Sequence, residues 1–222
     1  VGADVVEVTR GMGLDSRIGP RFLGAGLGWG GSCFPKDTAA LLALAGEYGY
    51  VMPITQAARE VNAQQRRIAV EKLQEALKVL RGRTIGVLGL AFKPGTDDIR
   101  ESAAIEIIRL LTERGAHVKA HDPVAVENAR RALADIEVEF VDDPYELAQG
   151  CDGIVLATEW DIYRALDLAK LAASMRLPVL VDGRNVYDPE EARKAGFTYL
   201  GIGRPVSHVE AERRPASAVM GA

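Results

Sequence analysis

Cys33 lies in GAGLGWGGSCFPKD, Gly24 to Asp37, where glycines stand at 24, 26, 28, 30 and 31 and the thiol is followed by Pro35, Lys36 and Asp37. A backbone this bare can take positive φ and approach a ligand closely, and proline suits the first turn of a helix. The spacing predicts a loop that delivers a ligand to a helix start, where unpaired N–H groups and the helix dipole favour negative charge and thiolate chemistry. Lys36 adds a cation, and Asp37 a carboxylate able to position water or relay a proton. A nucleophilic thiol is one reading. A small buried hydrophobe in a close-packed glycine turn is the other, because free cysteines often fill cores. A Cys–His hydrolase would need a base, yet His117, His121 and His208 all fall in the second half and nothing pairs them with Cys33. His117 and His121 flank an expected strand and read as structural. Cys151 opens the apolar run CDGIVLAT and reads as packing.

Two regimes of hydrophobic spacing must position this loop. Up to about Leu80, apolar residues recur at three- and four-residue steps (Leu41, Leu42, Leu44 and Ala45, then Ile68, Val70, Leu73, Leu77 and Leu80), the mark of helices. Pro53 is expected to open a long helix of about 25 to 28 residues that links two domains. From Arg83 the short apolar runs TIGVLGL, HVKAHDP, VEFV, GIVLAT and PVLVDG alternate with helical stretches, which predicts a parallel sheet covered by helices. Ligands of such sheets collect beyond the carboxyl ends of the strands. The chain reads as α/β: an all-helical domain over 1–80, a parallel-sheet domain over 81–203, and a polar tail over 204–222 expected to be disordered.

The bulk numbers narrow the function classes. Among 222 residues, 27 basic and 31 acidic side chains leave a net charge of −4 with no basic run, which argues against nucleic acid and membrane surfaces as partners. Two cysteines without paired spacing argue against a disulfide framework or a metal site, and point to a reducing, cytoplasmic compartment. No apolar run approaches the roughly 20 residues that span a bilayer, and no signal-peptide pattern opens the chain. Val1 begins inside what reads as a helix, so the chain is expected to be a segment whose upstream part lies outside it.

The stretch GAGLGWGGSCFPKD closely resembles the catalytic-cysteine segment of the UDP-glucose 6-dehydrogenase branch of the UDP-glucose/GDP-mannose dehydrogenase family. VGADVVEVTRGMGLDSRIG resembles that family's central helical domain, and GLAFKPGTDDIRESAAIEII and VLVDGRNV its C-terminal domain. The resemblance covers nearly the whole chain and implies an all-helical central dimerisation domain followed by a Rossmann-like, UDP-sugar-binding domain. The phenylalanine of SCFPKD argues against two relatives, the GDP-mannose and N-acetylhexosamine dehydrogenases, whose loops usually read SCLPKD or carry a GGHC core. A third alternative is a binding and dimerisation module with an inert thiol.

The family oxidises a nucleotide sugar's C6 alcohol to a carboxylate through two hydride transfers to NAD, with a thiol adduct between them. By resemblance Cys33 is the nucleophile, Asp37 assists water activation, and Lys36 and Arg100 contact the cofactor. Phe22, Leu23, Gly24, Gly26 and Gly28 line the sugar and phosphate site, Lys93 and Arg184 hold the substrate's nucleotide and sugar, and Arg17 reaches the substrate across a subunit boundary. Read on their own, Asp97, Asp98 and Arg100 also suit a capping and salt-bridge cluster, and Asp182 could pair with Arg184. NAD is expected to be held mainly by an N-terminal domain that this chain does not contain. Gly86 and Gly89 in IGVLGLAF lack the third glycine of a cofactor fingerprint. The chain is therefore expected to bind a UDP-sugar, to pair as a homodimer, and not to turn over alone.

Overall fold

The computed structural model describes residues 2–205. Helix α1 (Val5–Gly13) starts at Asp4, whose carboxylate accepts the Val6 N–H at 2.8 Å. Helix α2 (Phe34–Glu47) follows Cys33 in the capping position and holds Pro35 in its first turn. Helix α3 (Pro53–Leu77) opens on Pro53 and runs for 25 residues. Neither α1 nor α2 buries a residue, whereas α3 buries Asn62, Arg66, Ala69, Val70, Leu73 and Leu77, one stripe at three- and four-residue steps.

The sheet half alternates as the spacing predicts: β1 (Thr84–Leu88), α4 (Ala103–Glu113), β2 (His117–His121), α5 (Val126–Ala132), β3 (Glu139–Phe140), α6 (Pro144–Ala148), β4 (Gly153–Leu156), α7 (Asp161–Arg164), α8 (Leu168–Ser174), β5 (Val179–Asp182), α9 (Pro189–Lys194) and β6 (Thr198–Gly201). The strands lie in the order β3-β2-β1-β4-β5-β6 and every neighbouring pair is parallel, the Rossmann-like order. The last strand was not among the expected runs, being a short segment between glycines. Strands β4 and β5 are buried throughout, as strands covered on both faces must be.

One core layer joins Ala69, Val70, Leu73 and Leu77 of α3 to Ile107, Ile108 and Leu111 of α4 and to the sheet. The other packs Leu147, Leu171, Ala192 and Phe197 on the opposite face. The second half of α3 is thus part of the sheet's helical cover, ahead of the boundary expected at residue 80. At the far end Val5 donates its N–H to Gly203 O, and Arg204 donates to Asp4 at 3.0 Å and to Tyr187 O at 3.2 Å. Arg204, counted with the tail on sequence grounds, is held by these bonds; the rest of that tail from 206, with His208, lies outside the described residues.

Leu73 is fully buried between α4 and the sheet. Leu73→Ala is expected to lower the unfolding free energy by about 3 kcal/mol, read from the urea midpoint at unchanged slope.

Candidate functional site

The residues from Gly24 to Ser32 form no helix or strand, so their polar main-chain groups must find partners elsewhere. Three separate elements supply them. At the carboxyl end of β5, Gly183 O accepts the Leu27 N–H at 3.1 Å, Asn185 Nδ2 donates to Ala25 O at 3.3 Å, and Arg184 Nη1 donates to Gly28 O at 3.2 Å. On α3, Asn62 accepts the Trp29 N–H at 2.7 Å and donates to Trp29 O at 3.1 Å, while Arg66 Nη2 donates to Trp29 O at 3.3 Å. In the turn before α4, Arg100 O accepts the Gly31 N–H at 2.8 Å. The glycines permit this approach: a Cβ at Gly28, which has φ +86°, would collide with the Asn62 amide oxygen, and one at Gly30 with Glu101 O.

The loop hands the chain to α2 with Cys33 exposed at its start. Asp37 donates its N–H to Cys33 O at 2.8 Å, so the carboxylate sits one turn further along the same helix. An open cavity of about 350 Å³ is lined by Cys33, Phe34, Asp37, Thr38 and Leu41. Lys36 pairs with Asp37, and this hydrogen bond holds its ammonium above the usual lysine range. Arg100 pairs with Asp98 at 2.7 Å, with the same upward effect on the guanidinium. Both cations also lie within electrostatic reach of the Cys33 sulfur. A helix start with two cations beside it is a place that favours an anion.

The structure therefore brings Cys33, Lys36, Asp37 and Arg100 together. Lys93 is linked to the loop through Phe92: its ammonium lies 5.4 Å from the Phe92 ring centre, and that ring packs on Gly31. Arg184 lies underneath, largely buried, giving Nε to Ala157 O at 2.7 Å and pairing with Glu159 at 3.3 Å. The alternative in which it pairs with Asp182 is excluded, because that carboxylate takes the Arg184 and Tyr187 N–H groups and the Tyr199 hydroxyl. Gly26 and Gly28 pack against Gly183 and Asn62, the close-packed alternative, whereas Gly24 has open space around it. Leu23 is half-buried, Phe22 is wholly exposed with a left-handed backbone, and Arg17 is exposed and paired with Asp15. None of these last three lines the Cys33 cavity described above.

Asn62 and Arg66 were missed as site residues. Their signal is legible in VNAQQRR, where two polar residues four apart continue the apolar stripe of α3. Asp122 was also missed. Its buried carboxylate, at the carboxyl end of β2, accepts the N–H groups of Leu90, Ala91, Val124 and Ala125 at 2.7–3.1 Å, and Trp160 Nε1 at 3.1 Å. The turn after β1, where a dinucleotide fold receives a pyrophosphate, is filled by the protein's own anion and does not fit a dinucleotide. His121 is buried against the Tyr163 hydroxyl and Asp142 O, and burial holds its imidazole below the usual range. Among the described residues no cluster suits a metal ion, and no helix is long and apolar enough to cross a membrane.

Comparison with known proteins gives a consistent pattern. Residues 1–64 match the model described as "UDP-glucose/GDP-mannose dehydrogenase family, central domain", and residues 86–189 match that family's "UDP binding domain". The UDP-glucose 6-dehydrogenase TuaD of Bacillus subtilis is 47% identical over 205 residues, covering 92% of this chain and 44% of that protein. The solved UDP-glucose dehydrogenase of Pyrobaculum islandicum superposes with a TM-score of 0.82 at 48% identity, covering 91% of this chain and 44% of its own. A UDP-D-MAnNAc dehydrogenase from Pyrococcus horikoshii superposes with a TM-score of 0.76 at 28% identity, covering 91% and 45%. The chain thus spans less than half the length of each.

The two thiols should separate cleanly under an alkylating agent. Burial pushes the Cys151 thiol up to about 12, and it donates to Leu147 O in the core. In native protein at pH 8, iodoacetamide is expected to label Cys33 alone, and Cys33→Ser to leave no reactive thiol until denaturant is added; peptide mass mapping checks both.

Proposed function

The chain belongs to the UDP-glucose/GDP-mannose dehydrogenase family, and from that premise we propose that it is the UDP-sugar-binding and thiol-bearing part of an NAD-dependent UDP-glucose 6-dehydrogenase. The observation that supports this most is an exposed sulfur at a helix start, in a cavity it shares with Asp37, beside Lys36 and Arg100. UDP-glucose is preferred over an N-acetylhexosamine nucleotide because identity is 48% to the relative named for UDP-glucose and 28% to the one named for UDP-D-MAnNAc.

Bound NAD supplies the acceptor for two hydrides, one from the C6 alcohol and one from the sulfur adduct that follows. Cys33 thiolate adds to the aldehyde carbon, the new C–S bond forming as the carbonyl oxygen takes a proton, which gives that carbon a hydride to lose. After the second transfer the carbon is a thioester. Asp37 positions a water whose oxygen adds to it; the C–S bond breaks, leaving a carboxylate and regenerating the Cys33 thiolate. One alcohol and one water thus give a carboxylate, with two hydrides passed on and three protons released. Lys93 pairs with the UDP phosphates, and Arg184, already bound to Glu159 and Gly28 O, holds the glycine loop that the sugar lies against, with Gly24 in open space. Lys36 and Arg100 suit the cofactor's phosphates, since both cations are exposed and the Lys36–Asp37 pair, open to water on both sides, is worth little and easily exchanged.

A homodimer forms on the helical half. α1 and α2 bury nothing of their own, while Leu14, Phe22, Val51 and Ile54 are more than four-fifths exposed. Arg17 and Phe22 then serve the partner's substrate, which accounts for their distance from this chain's own thiol cavity. The joint variant Leu44→Asp and Ile54→Asp is expected to give monomers in sedimentation equilibrium while leaving the sheet's unfolding transition in place.

Calorimetry with UDP-glucose, GDP-mannose and UDP-N-acetylmannosamine tests the substrate class. UDP-glucose is expected to bind most tightly and to slow Cys33 alkylation, and Lys93→Ala to weaken it about ten-fold or more, as loss of a charge-assisted bond predicts. Tighter binding of GDP-mannose would sink the reading.

A further inference from the structure

The middle of α3 carries a buried charge that the reaction above does not use. Arg66 is 7% exposed, an unusual place for a guanidinium in mid-helix. Its Nη1 pairs with Glu106 of α4 and lies 3.8 Å from the Glu101 carboxylate. Its Nη2 forks to two carbonyls, Trp29 O at 3.3 Å in the glycine loop and Glu101 O at 3.1 Å in the turn before α4. Its Nε is buried without a partner among the described residues. A guanidinium needing only one carboxylate would not require this site, and an unmet buried donor costs stability. What the position achieves is the joining of two main-chain segments that carry different reactive groups. Trp29 leads within four residues to Cys33, and Glu101 follows Arg100 directly. The join is tight on both sides: Gly31 bonds to Arg100 O, Gly30 leaves no room for a Cβ beneath Glu101, and Glu101 itself is held at φ +53°.

We propose that Arg66, with Asn62 one turn before it, is a positioning residue that fixes the distance between the Cys33 thiol and the Arg100 cation by bridging Trp29 O to Glu101 O. The proposal rests on the reading of Cys33 as the nucleophile. It adds that the geometry around the thiol is set from below, by the polar middle of α3. Lysine cannot replace Arg66, because one ammonium on a flexible stem does not reproduce a planar fork between two carbonyls and a carboxylate. Glu106 partners the charge without touching the loop, so it serves as the control.

The full chain is compared as wild type, Arg66→Lys, Arg66→Gln and Glu106→Gln, with hydrogen exchange by mass spectrometry, the pH profile of Cys33 alkylation, and protection of Cys33 by UDP-glucose. In Arg66→Lys and Arg66→Gln, amide exchange over residues 27–33 is expected to rise about ten-fold or more while residues 69–77 of α3 keep wild-type protection. The alkylation profile moves and UDP-glucose protection weakens in the same two variants; Glu106→Gln leaves all three close to wild type. Wild-type exchange and alkylation in Arg66→Lys would overturn the proposal, and so would Glu106→Gln matching Arg66→Gln. Should Arg66→Gln fail to fold, Arg66→Lys and Asn62→Ala decide the matter by the same local exchange. If UDP-glucose protects nothing even in wild type, the substrate reading fails, while the exchange and alkylation results still judge Arg66.

Discussion

A loop made largely of glycine cannot hold itself in place. Between Gly24 and Gly31 only Leu27 is a fully buried side chain, so the position of everything downstream depends on main-chain hydrogen bonds supplied from outside the loop. Ordering one residue's backbone costs about 1–2 kcal/mol and one hydrogen bond contributes about 1 kcal/mol net, so no single contact can fix the segment. The contacts act together: Gly183, Arg184 and Asn185 under the first half, Asn62 and Arg66 at Trp29, and Arg100 at Gly31. These partners are far apart in sequence, and each is itself tied to the sheet or its helical cover. The loop is the seam along which the helical half and the sheet half become one body.

That seam explains how a sulfur can be both exposed and fixed. α2 has no buried residue, and a helix in that state would ordinarily drift. Its first turn is anchored instead, by Arg59 donating to Pro35 O and the Thr38 hydroxyl, and by the Trp29 and Phe34 rings meeting at 5.9 Å. The positive end of α2 is therefore held where Cys33 sits, while its far end and outer face stay exposed. The same residues that leave the thiol open to solvent leave a wide apolar surface beside it.

The cysteine loop leading into a helix and the sheet were legible because their signals are local. A cysteine between glycines and Pro-Lys-Asp, a proline opening a 25-residue periodic segment, and short apolar runs ending in turns each carry their cause in neighbouring positions. The loop's supports were not legible, because they are long-range and polar. Nothing near Trp29 announces Asn62, 33 residues on, or Arg184 beneath Gly28, 156 residues on. Glycine itself misleads: at Gly26, Gly28 and Gly30 it makes room for the protein's own backbone or side chains, although glycine spacing alone suits a ligand equally well. Arg204 read as the start of a tail because a lone arginine has no periodicity, yet Asp4, 200 residues away, holds it.

The distribution of filled and open anion sites decides where a phosphorylated ligand can go. In a parallel sheet of this order the crevice at the carboxyl ends of β1 and β4 is the natural receptor. Here protein occupies it: the Asp122 carboxylate takes the Leu90 and Ala91 N–H groups above β1, and the glycine loop lies across the end of β5 through Leu27 and Gly183. Displacing Asp122 would leave a buried carboxylate and five donors unmet, a cost far above what one phosphate contact contributes. A ligand is therefore displaced outward to the rim, where Lys36, Lys93 and Arg100 are the cations beside the loop and Cys33 opens α2. On the reading proposed above, filling the inner site and leaving the outer one open would keep a nucleotide from sinking into the sheet and drawing its sugar away from the sulfur.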